Sequence, residues 1–303
     1  MPDYKSVDEE KKRRLPSWFK VKAPGGEVYR EVKNLVSELD LHTVCQSALC
    51  PNIGSCWEKR TATFMILGDL CTRNCGFCGV NTGKPEGHDM SEPGRVASAV
   101  SKMDLRFVVI TSVTRDDLPD GGASAFAETI RHIRISAPDC RVEVLIPDFR
   151  GEDRLLEIVF EAGPDVLAHN VETVARLYGT VRPGARFERS VALLERAKQR
   201  GSGLLTKSGM MVGLGESREE IIDTMEKLVR AGVDLLTVGQ YLRPTKLSLP
   251  IDRFYHPDEF EELEKLALSL GFKGVSSGPL VRSSYLAEQQ ASGELLKINR
   301  TSF

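Results

Sequence analysis

From Thr63 onward, short runs of consecutive apolar residues alternate with longer segments whose apolar residues recur at helical spacing. The short runs cover 64–70, 107–112, 142–147, 166–169, 204–212 and 235–239. Each is rich in Val, Ile, Leu or Phe, which predicts a strand buried on both faces of a parallel sheet. The longer segments, 95–102, 123–136, 153–162, 187–200, 218–231 and 257–270, predict amphipathic helices. Gly163, Gly201, Gly232 and Gly271 stand where such helices end in a left-handed residue. Glu219, Glu220 and Asp223 bias the start of the fifth helix, and Lys227 and Arg230 its end, as the helix dipole favours.

Six strand-then-helix units in series imply a parallel sheet with right-handed crossovers, either an open doubly wound sheet or a barrel. No G-x-G-x-x-G follows the first strand. Polar residues instead recur just after successive strands: Thr111-Ser112, Pro147-Asp148, His169-Asn170, Glu172, Gly213, Glu216 and Gln240. Barrels gather their active sites at the strand C-terminal ends. The expected fold is therefore α/β, a partial (β/α)6 TIM-like barrel over 63–271. N-terminal (15–62) and C-terminal (272–303) extensions are expected to cover its open end, the latter rich in Ser and Gly. Residues 1–14 mix acids with the basic run Lys11–Arg14 and read as a solvated, mobile tail.

Composition narrows the class. The chain has 303 residues, 41% apolar and 28% charged, enough for one large core with appendages. A formal net charge of −2 gives no general attraction to nucleic acid or anionic membrane. No apolar run approaches the roughly 20 residues that span a bilayer. The charged tail resembles neither a secretory signal nor a transit peptide, and a cytoplasmic location is expected.

Six of the seven cysteines form two triplets, Cys45-x4-Cys50-x5-Cys56 and Cys71-x3-Cys75-x2-Cys78. A long chain with an odd cysteine count argues against a disulfide framework. Structural zinc closes a tetrahedron with four protein ligands, and neither triplet has an obvious local fourth, although His42 and His88 lie nearby. Three thiolates can instead hold a 4Fe–4S cluster by three of its irons and leave the fourth open. Two triplets then imply two clusters and redox or radical chemistry. Cys140 stands alone and reads as a buried small hydrophobe.

The segment Cys71-Thr72-Arg73-Asn74-Cys75-Gly76-Phe77-Cys78-Gly79 follows the first strand directly. Its spacing, with an aromatic before the third cysteine, resembles the radical S-adenosylmethionine (SAM) superfamily. That resemblance implies an open iron that chelates SAM and a reductive cleavage that releases a 5′-deoxyadenosyl radical. The upstream C-x4-C-x5-C resembles the lipoyl synthase family. So do Arg14-Leu15-Pro16-Ser17-Trp18-Phe19-Lys20, Thr111 to Asp117, His169-Asn170-Val171-Glu172-Thr173, Val181-Arg182-Pro183, Lys207 to Glu216, Gly239-Gln240-Tyr241-Leu242 and Arg282-Ser283-Ser284-Tyr285. One departure is Leu247-Ser248-Leu249-Pro250, where the family often places a histidine before Leu-Pro.

The resemblance implies insertion of two sulfurs, at C6 and C8 of an octanoyl group on a carrier lysine, with two SAM consumed. The cluster of the first triplet is then the sulfur donor. Its fourth ligand is a serine oxygen, Ser284 in preference to Ser283. The implied partners are octanoylated lipoyl carrier domains (dehydrogenase-complex acyltransferase subunits or the glycine-cleavage H protein), an electron donor such as ferredoxin or flavodoxin, and an iron–sulfur carrier. No nucleic acid or membrane partner is implied. Rival readings are a biotin-synthase-like or methylthio-transferring enzyme, and a non-enzymatic iron–sulfur carrier.

Candidate SAM contacts follow the strands. Ser112, with Asp116 or Asp117, could meet the amino group, although Asp-Asp-Leu-Pro-Asp-Gly-Gly is equally a turn sequence. Asn170 and Glu172 could hold ribose hydroxyls. Arg182 could pair with the SAM carboxylate, since a guanidinium matches it bidentately, or simply face solvent. Gly209 and Gly213 would let backbone approach the adenine, or mark no more than a glycine-rich strand end. Met210 and Met211 read as packing.

Overall fold

A computed structural model describes residues 15–200 and 203–293; the tail read at 1–14 and Gly201 lie outside the described residues. The core is a sheet of seven parallel strands in sequential order: β1 (Thr63–Ile66), β2 (Phe107–Ser112), β3 (Arg141–Leu145), β4 (Val166–Ala168), β5 (Leu205–Val212), β6 (Leu235–Gln240) and β7 (Gly274–Gly278). The antiparallel two-residue strand His42–Thr43 adds to the outer edge of β1, and the sheet does not close. Helices α1 (Glu92–Lys102), α2 (Ala123–Ser136), α3 (Asp153–Glu161), α4 (Phe187–Arg200), α5 (Arg218–Arg230) and α6 (Pro257–Leu270) follow the first six strands in turn. The architecture is the expected partial barrel.

Caps account for several helix limits. Ser217 and Glu220 form a capping box at α5, and Gly163, Gly232 and Gly271 are all left-handed, with φ of 71°, 79° and 117°.

Two details depart from the sequence pattern. The first strand ends four residues early, because Leu67 (φ 68°) and Gly68 (φ 83°) turn the chain outward. The buried Glu92 carboxylate accepts the Leu67 N–H at 2.6 Å and fixes that turn. Leu70–Cys71 then pairs with Asn81–Thr82 in a separate ladder that closes the base of the second cysteine loop. The second departure is the seventh strand, which falls within 272–303. Gly-Val-Ser-Ser-Gly has little strand propensity of its own, but all five residues register with β6.

Alternation sorts the strand side chains. Val108, Ile110, Val142 and Val144 pack with the outer helices, whereas Phe107, Val109, Val166 and Leu235 form a separate interior cluster. Ala287, in the terminal helix Ala287–Ser292, joins that interior cluster where the strands begin. A Cβ at Gly239 would lie 2.1 Å from the Val281 carbonyl. Only glycine therefore admits the segment after β7 alongside β6. Cys140 is 1% exposed and packs in the core, as expected.

Candidate functional site

The second cysteine loop leaves β1 and is sewn to the exit of β2. Thr72 bonds the Thr114 carbonyl through both its N–H and its hydroxyl, each at 2.9 Å. The Thr72 hydroxyl also accepts the Asp116 N–H at 3.0 Å. The N–H groups of Arg73 and Thr114 point at the Cys71 sulfur, each at 3.4 Å, and that of Val80 at the Cys78 sulfur at 3.5 Å. Such donors stabilise thiolate and tune the potential of any cluster it binds. Gly76 and Gly79 have no room for a side chain. A Cβ would meet Leu249 at 2.9 Å in one case, and Pro244 at 3.1 Å and the Ser47 carbonyl at 3.3 Å in the other. Burial raises the Cys78 thiol and pushes the Cys75 thiol up to about 11, so these sulfurs need a metal to ionise them.

Arg73, inside this loop, is a residue that the spacing did not single out. It bonds Asp116 at 2.7 and 2.9 Å and Asp148 at 2.7 Å. Asp148, after β3, is fully buried and also receives Arg189 of α4 at 3.0 Å. Although burial opposes ionisation, Arg73 holds the Asp148 carboxyl down at about 2. Its folded pKa is depressed, so its contribution to stability is fully present above the ordinary carboxylate range and is lost as pH falls towards 2. We expect Asp148→Ala to cost about 3 kcal/mol at pH 7, since it takes a buried carboxylate from Arg73 and leaves Arg189 without its ion pair. Urea unfolding should show that difference shrinking between pH 4 and pH 2. Asp116 and Asp117 are both engaged, with Arg73 and Arg115 respectively.

The residues after β4 to β6 surround the same mouth. Arg182 donates from Nη1 to the Asn170 carbonyl at 2.7 Å and to the Tyr178 hydroxyl at 3.2 Å, and it is not solvent-facing. Its guanidinium field acts on Cys75 and on Glu172, while its Nε is buried without a partner. Glu172 is left-handed (φ 65°) and accepts the Asn170 side-chain amide at 3.0 Å. Burial raises the Glu172 carboxyl against the pull of Arg182. Asn170 Oδ1 and Ser112 Oγ are buried with no partner. A Cβ at Gly209 would meet Thr237 Oγ1 at 2.6 Å and Asn170 Oδ1 at 2.8 Å. Gly213 (φ 98°) is pressed instead by Gln240 Nε2 and the Arg253 carbonyl, and Glu216 accepts its N–H at 2.6 Å. Ser112, Asn170, Glu172, Arg182 and Gly209 thus gather near the second loop, whereas Gly213 lies against Gln240.

The first triplet sits on the short helices Val44–Ser47 and Ile53–Glu58 and the turn between them. Burial raises the Cys45 thiol and lifts Cys56 to about 11, and each triplet's thiols oppose one another's ionisation. Trp57 is fully buried beside Cys45, and its indole nitrogen has no oxygen or nitrogen partner. The C-terminal segment closes over this triplet. Asn52 donates to the Leu280 carbonyl at 2.7 Å, Arg282 lies in the field of Cys50, and Thr63 Oγ1 donates to Ser284 Oγ at 2.8 Å. The close approach of Gly79 to Ser47 brings the two cysteine loops together. Among the described residues, no three His, Cys, Asp or Glu side chains converge tightly enough to hold a single metal ion.

Comparisons with known proteins supply the family. Residues 65–228 match the Radical SAM superfamily, and residues 3–50 match the N-terminal domain of lipoyl synthase of that family. Lipoyl synthase of Rubrobacter xylanophilus is 58% identical over 275 residues, 91% of this chain and 86% of the relative. That of Koribacter versatilis is 54% identical and covers 96% of each. The chain belongs to the lipoyl synthase family. Solved structures give the fold alone. Methylornithine synthase matches at a TM-score of 0.52 and 18% identity, covering 70% of this chain and 69% of that one. A maturase of the FeFe-hydrogenase matches at 0.54 and 15%, covering 75% and 61%.

This member of the lipoyl synthase family is a radical SAM enzyme, so it uses a 4Fe–4S cluster and SAM. The second loop suits that cluster, with backbone donors aimed at Cys71 and Cys78 and two glycines that leave the loop no slack. The unpartnered Ser112 hydroxyl, Asn170 Oδ1 and Arg182 Nε are buried polar atoms that a bound SAM could satisfy. Among the described residues, no helix is long and apolar enough to cross a membrane.

Proposed function

We propose that the protein converts an octanoyl group, amide-linked to the lysine of a carrier domain, into a lipoyl group by inserting sulfur at C6 and C8. The observation that carries this reading is the first thiol triplet, Cys45, Cys50 and Cys56. It is roofed by the Ser284 segment and brought against the radical SAM loop at the Gly79–Ser47 contact. The bound cofactors would supply the radical that removes hydrogen from an unactivated C–H bond, and the sulfur that replaces it.

The chain's own part is to bind and orient. Cys71, Cys75 and Cys78 would hold one cluster. Cys45, Cys50 and Cys56 would hold an auxiliary one, with Ser284 as its fourth ligand. Arg182 would offer its buried Nε to the SAM carboxylate, Asn170 and Glu172 would take the ribose hydroxyls, and Ser112 would take the amino group. Gly209 gives the adenine an approach to the β5 backbone, and Gly213 shapes the adjoining turn. Trp57 would donate to the sulfur at Cys45. The partners are octanoylated acyltransferase subunits or H protein, a low-potential donor such as ferredoxin or flavodoxin, and a carrier that rebuilds the auxiliary cluster in the cytoplasm.

The test is incubation of anaerobic protein with SAM, a reductant and an octanoylated carrier peptide. We expect a lipoyl peptide and about two 5′-deoxyadenosines per product, one for each C–H bond replaced. SAM cleavage without sulfur insertion would favour a different radical SAM enzyme. Absence of SAM cleavage by fully loaded protein would favour an iron–sulfur carrier.

A further inference from the structure

We propose that the cavity between the loops after β2 and β3 is where an acidic, low-potential one-electron carrier protein docks to supply the electron that SAM cleavage needs. The inference deepens the partner class named above and rests on the reading of Cys71, Cys75 and Cys78 as ligands of the SAM-cleaving cluster. The cavity holds about 260 Å³ and lies beside the starts of α2 and α3. None of Ser112, Asn170, Glu172, Arg182 and Gly209 lines it. Thr114 and Asp116 do, and they join it to the second cysteine loop. The Thr114 N–H points at the Cys71 sulfur at 3.4 Å. Asp116 binds Arg73, whose own N–H points at the same sulfur at 3.4 Å. A single residue therefore separates the cavity from a candidate cluster thiolate.

A separate entrance answers a constraint of the reaction. Each SAM cleaved consumes one electron, which breaks a C–S bond of the sulfonium and leaves the donor oxidised by one. The radical so formed must meet the octanoyl chain at once, so the acyl carrier already fills the mouth when the electron arrives. The donor must then approach from another face.

The rim of the cavity fits an acidic protein. The lining carboxylates Asp116, Asp117 and Glu152 are paired with Arg73, Arg115 and Arg154, at 2.7, 2.7 and 2.9 Å. Their side chains are 23%, 36% and 41% exposed, whereas those of Arg150 and Arg154 are 58% and 72% exposed. Positive charge is thus outermost. Beneath it, Leu118, Phe149 and Leu155 supply an apolar wall. A strained backbone presents Arg150 at the rim. Phe149 and Arg150 are both left-handed, with φ of 43° and 54°, a conformation that bulky side chains rarely take and that clusters at binding sites. Arg150 Nη2 then donates to the Asp116 carbonyl at 2.8 Å.

The test uses the full chain with both clusters loaded anaerobically, and flavodoxin as the probe. Affinity is measured by calorimetry with oxidised flavodoxin. Formation of 5′-deoxyadenosine, with an octanoylated carrier peptide present, is driven either by reduced flavodoxin or by dithionite, a small reductant that needs no docking surface. Arg150→Glu combined with Arg154→Glu should weaken flavodoxin binding about tenfold or more, and slow flavodoxin-driven cleavage in proportion at low donor concentration. The dithionite-driven rate should not change. Arg150→Lys combined with Arg154→Lys keeps the charge and should bind near the wild-type affinity, and wild-type binding should weaken with added salt. Wild-type affinity in the Glu variant overturns the proposal, as does a wild-type protein that binds no flavodoxin. An equal loss with dithionite and with flavodoxin would mean that the arginines hold the loop rather than the donor, and overturns it too. Absence of dithionite-driven cleavage by the loaded wild type overturns the reading of the cysteines, and the proposal with it.

Discussion

Changing Cys71, Cys75 and Cys78 together to alanine is expected to abolish reductive SAM cleavage and, with it, all product. Anaerobic wild-type protein should carry about eight irons and this variant about four, as three thiolates per cluster require. The loss should be complete, because no other thiols lie on the loop that Thr72, Arg73 and Gly76 fix at the barrel mouth. The fold should survive, since Trp57, Phe64 and the outer helices make the core, and Cys71 packs against it only from a partly buried position. SAM cleavage by the variant at more than trace rates would place the cofactor on the wrong triplet.

The converse variant, Cys45, Cys50 and Cys56 to alanine, should keep about four irons and continue to cleave SAM, yet form no lipoyl product. The two loops come close at Gly79 and Ser47, and the first triplet leans on the C-terminal segment through Asn52–Leu280 and Thr63–Ser284. The second loop is anchored separately, to β2, β3 and α4, through Arg73, Asp148 and Arg189. Removing the first triplet therefore spares the anchors of the second. Iron content, 5′-deoxyadenosine and peptide mass, measured on one preparation, check the division of labour. Loss of SAM cleavage with the second cluster still present would refute it.

Both loops, the barrel and six of its strands are legible in the chain because they rest on local signals: apolar runs, helix caps and cysteine spacing. The seventh strand is not, since Gly-Val-Ser-Ser-Gly becomes a strand only by lying against β6. The early end of the first strand was hidden because Leu67 is apolar but left-handed, a conformation that the distant Glu92 carboxylate helps to hold. At the site, Asp148 was visible as a polar residue after a strand, but its ion pairs with Arg73 and Arg189 span 75 and 41 residues of sequence. Asp116 or Asp117 read as a candidate for the SAM amino group or as part of a turn, and the fold gives each an arginine. Thr63 carried no signal at all, because only the folded C-terminal segment brings Ser284 to it.

The central claim is that sulfide of a cluster carried by the protein is the source of the inserted sulfur. It is tested most directly by rebuilding both clusters with sulfur-34 sulfide and supplying SAM, reductant and an octanoylated carrier peptide of natural isotopic abundance. Mass spectrometry of the product should show two sulfur-34 atoms in each lipoyl group formed in the first turnover. A lipoyl group carrying unlabelled sulfur, or loss of hydrogen from the octanoyl chain with no sulfur gained, would contradict the claim.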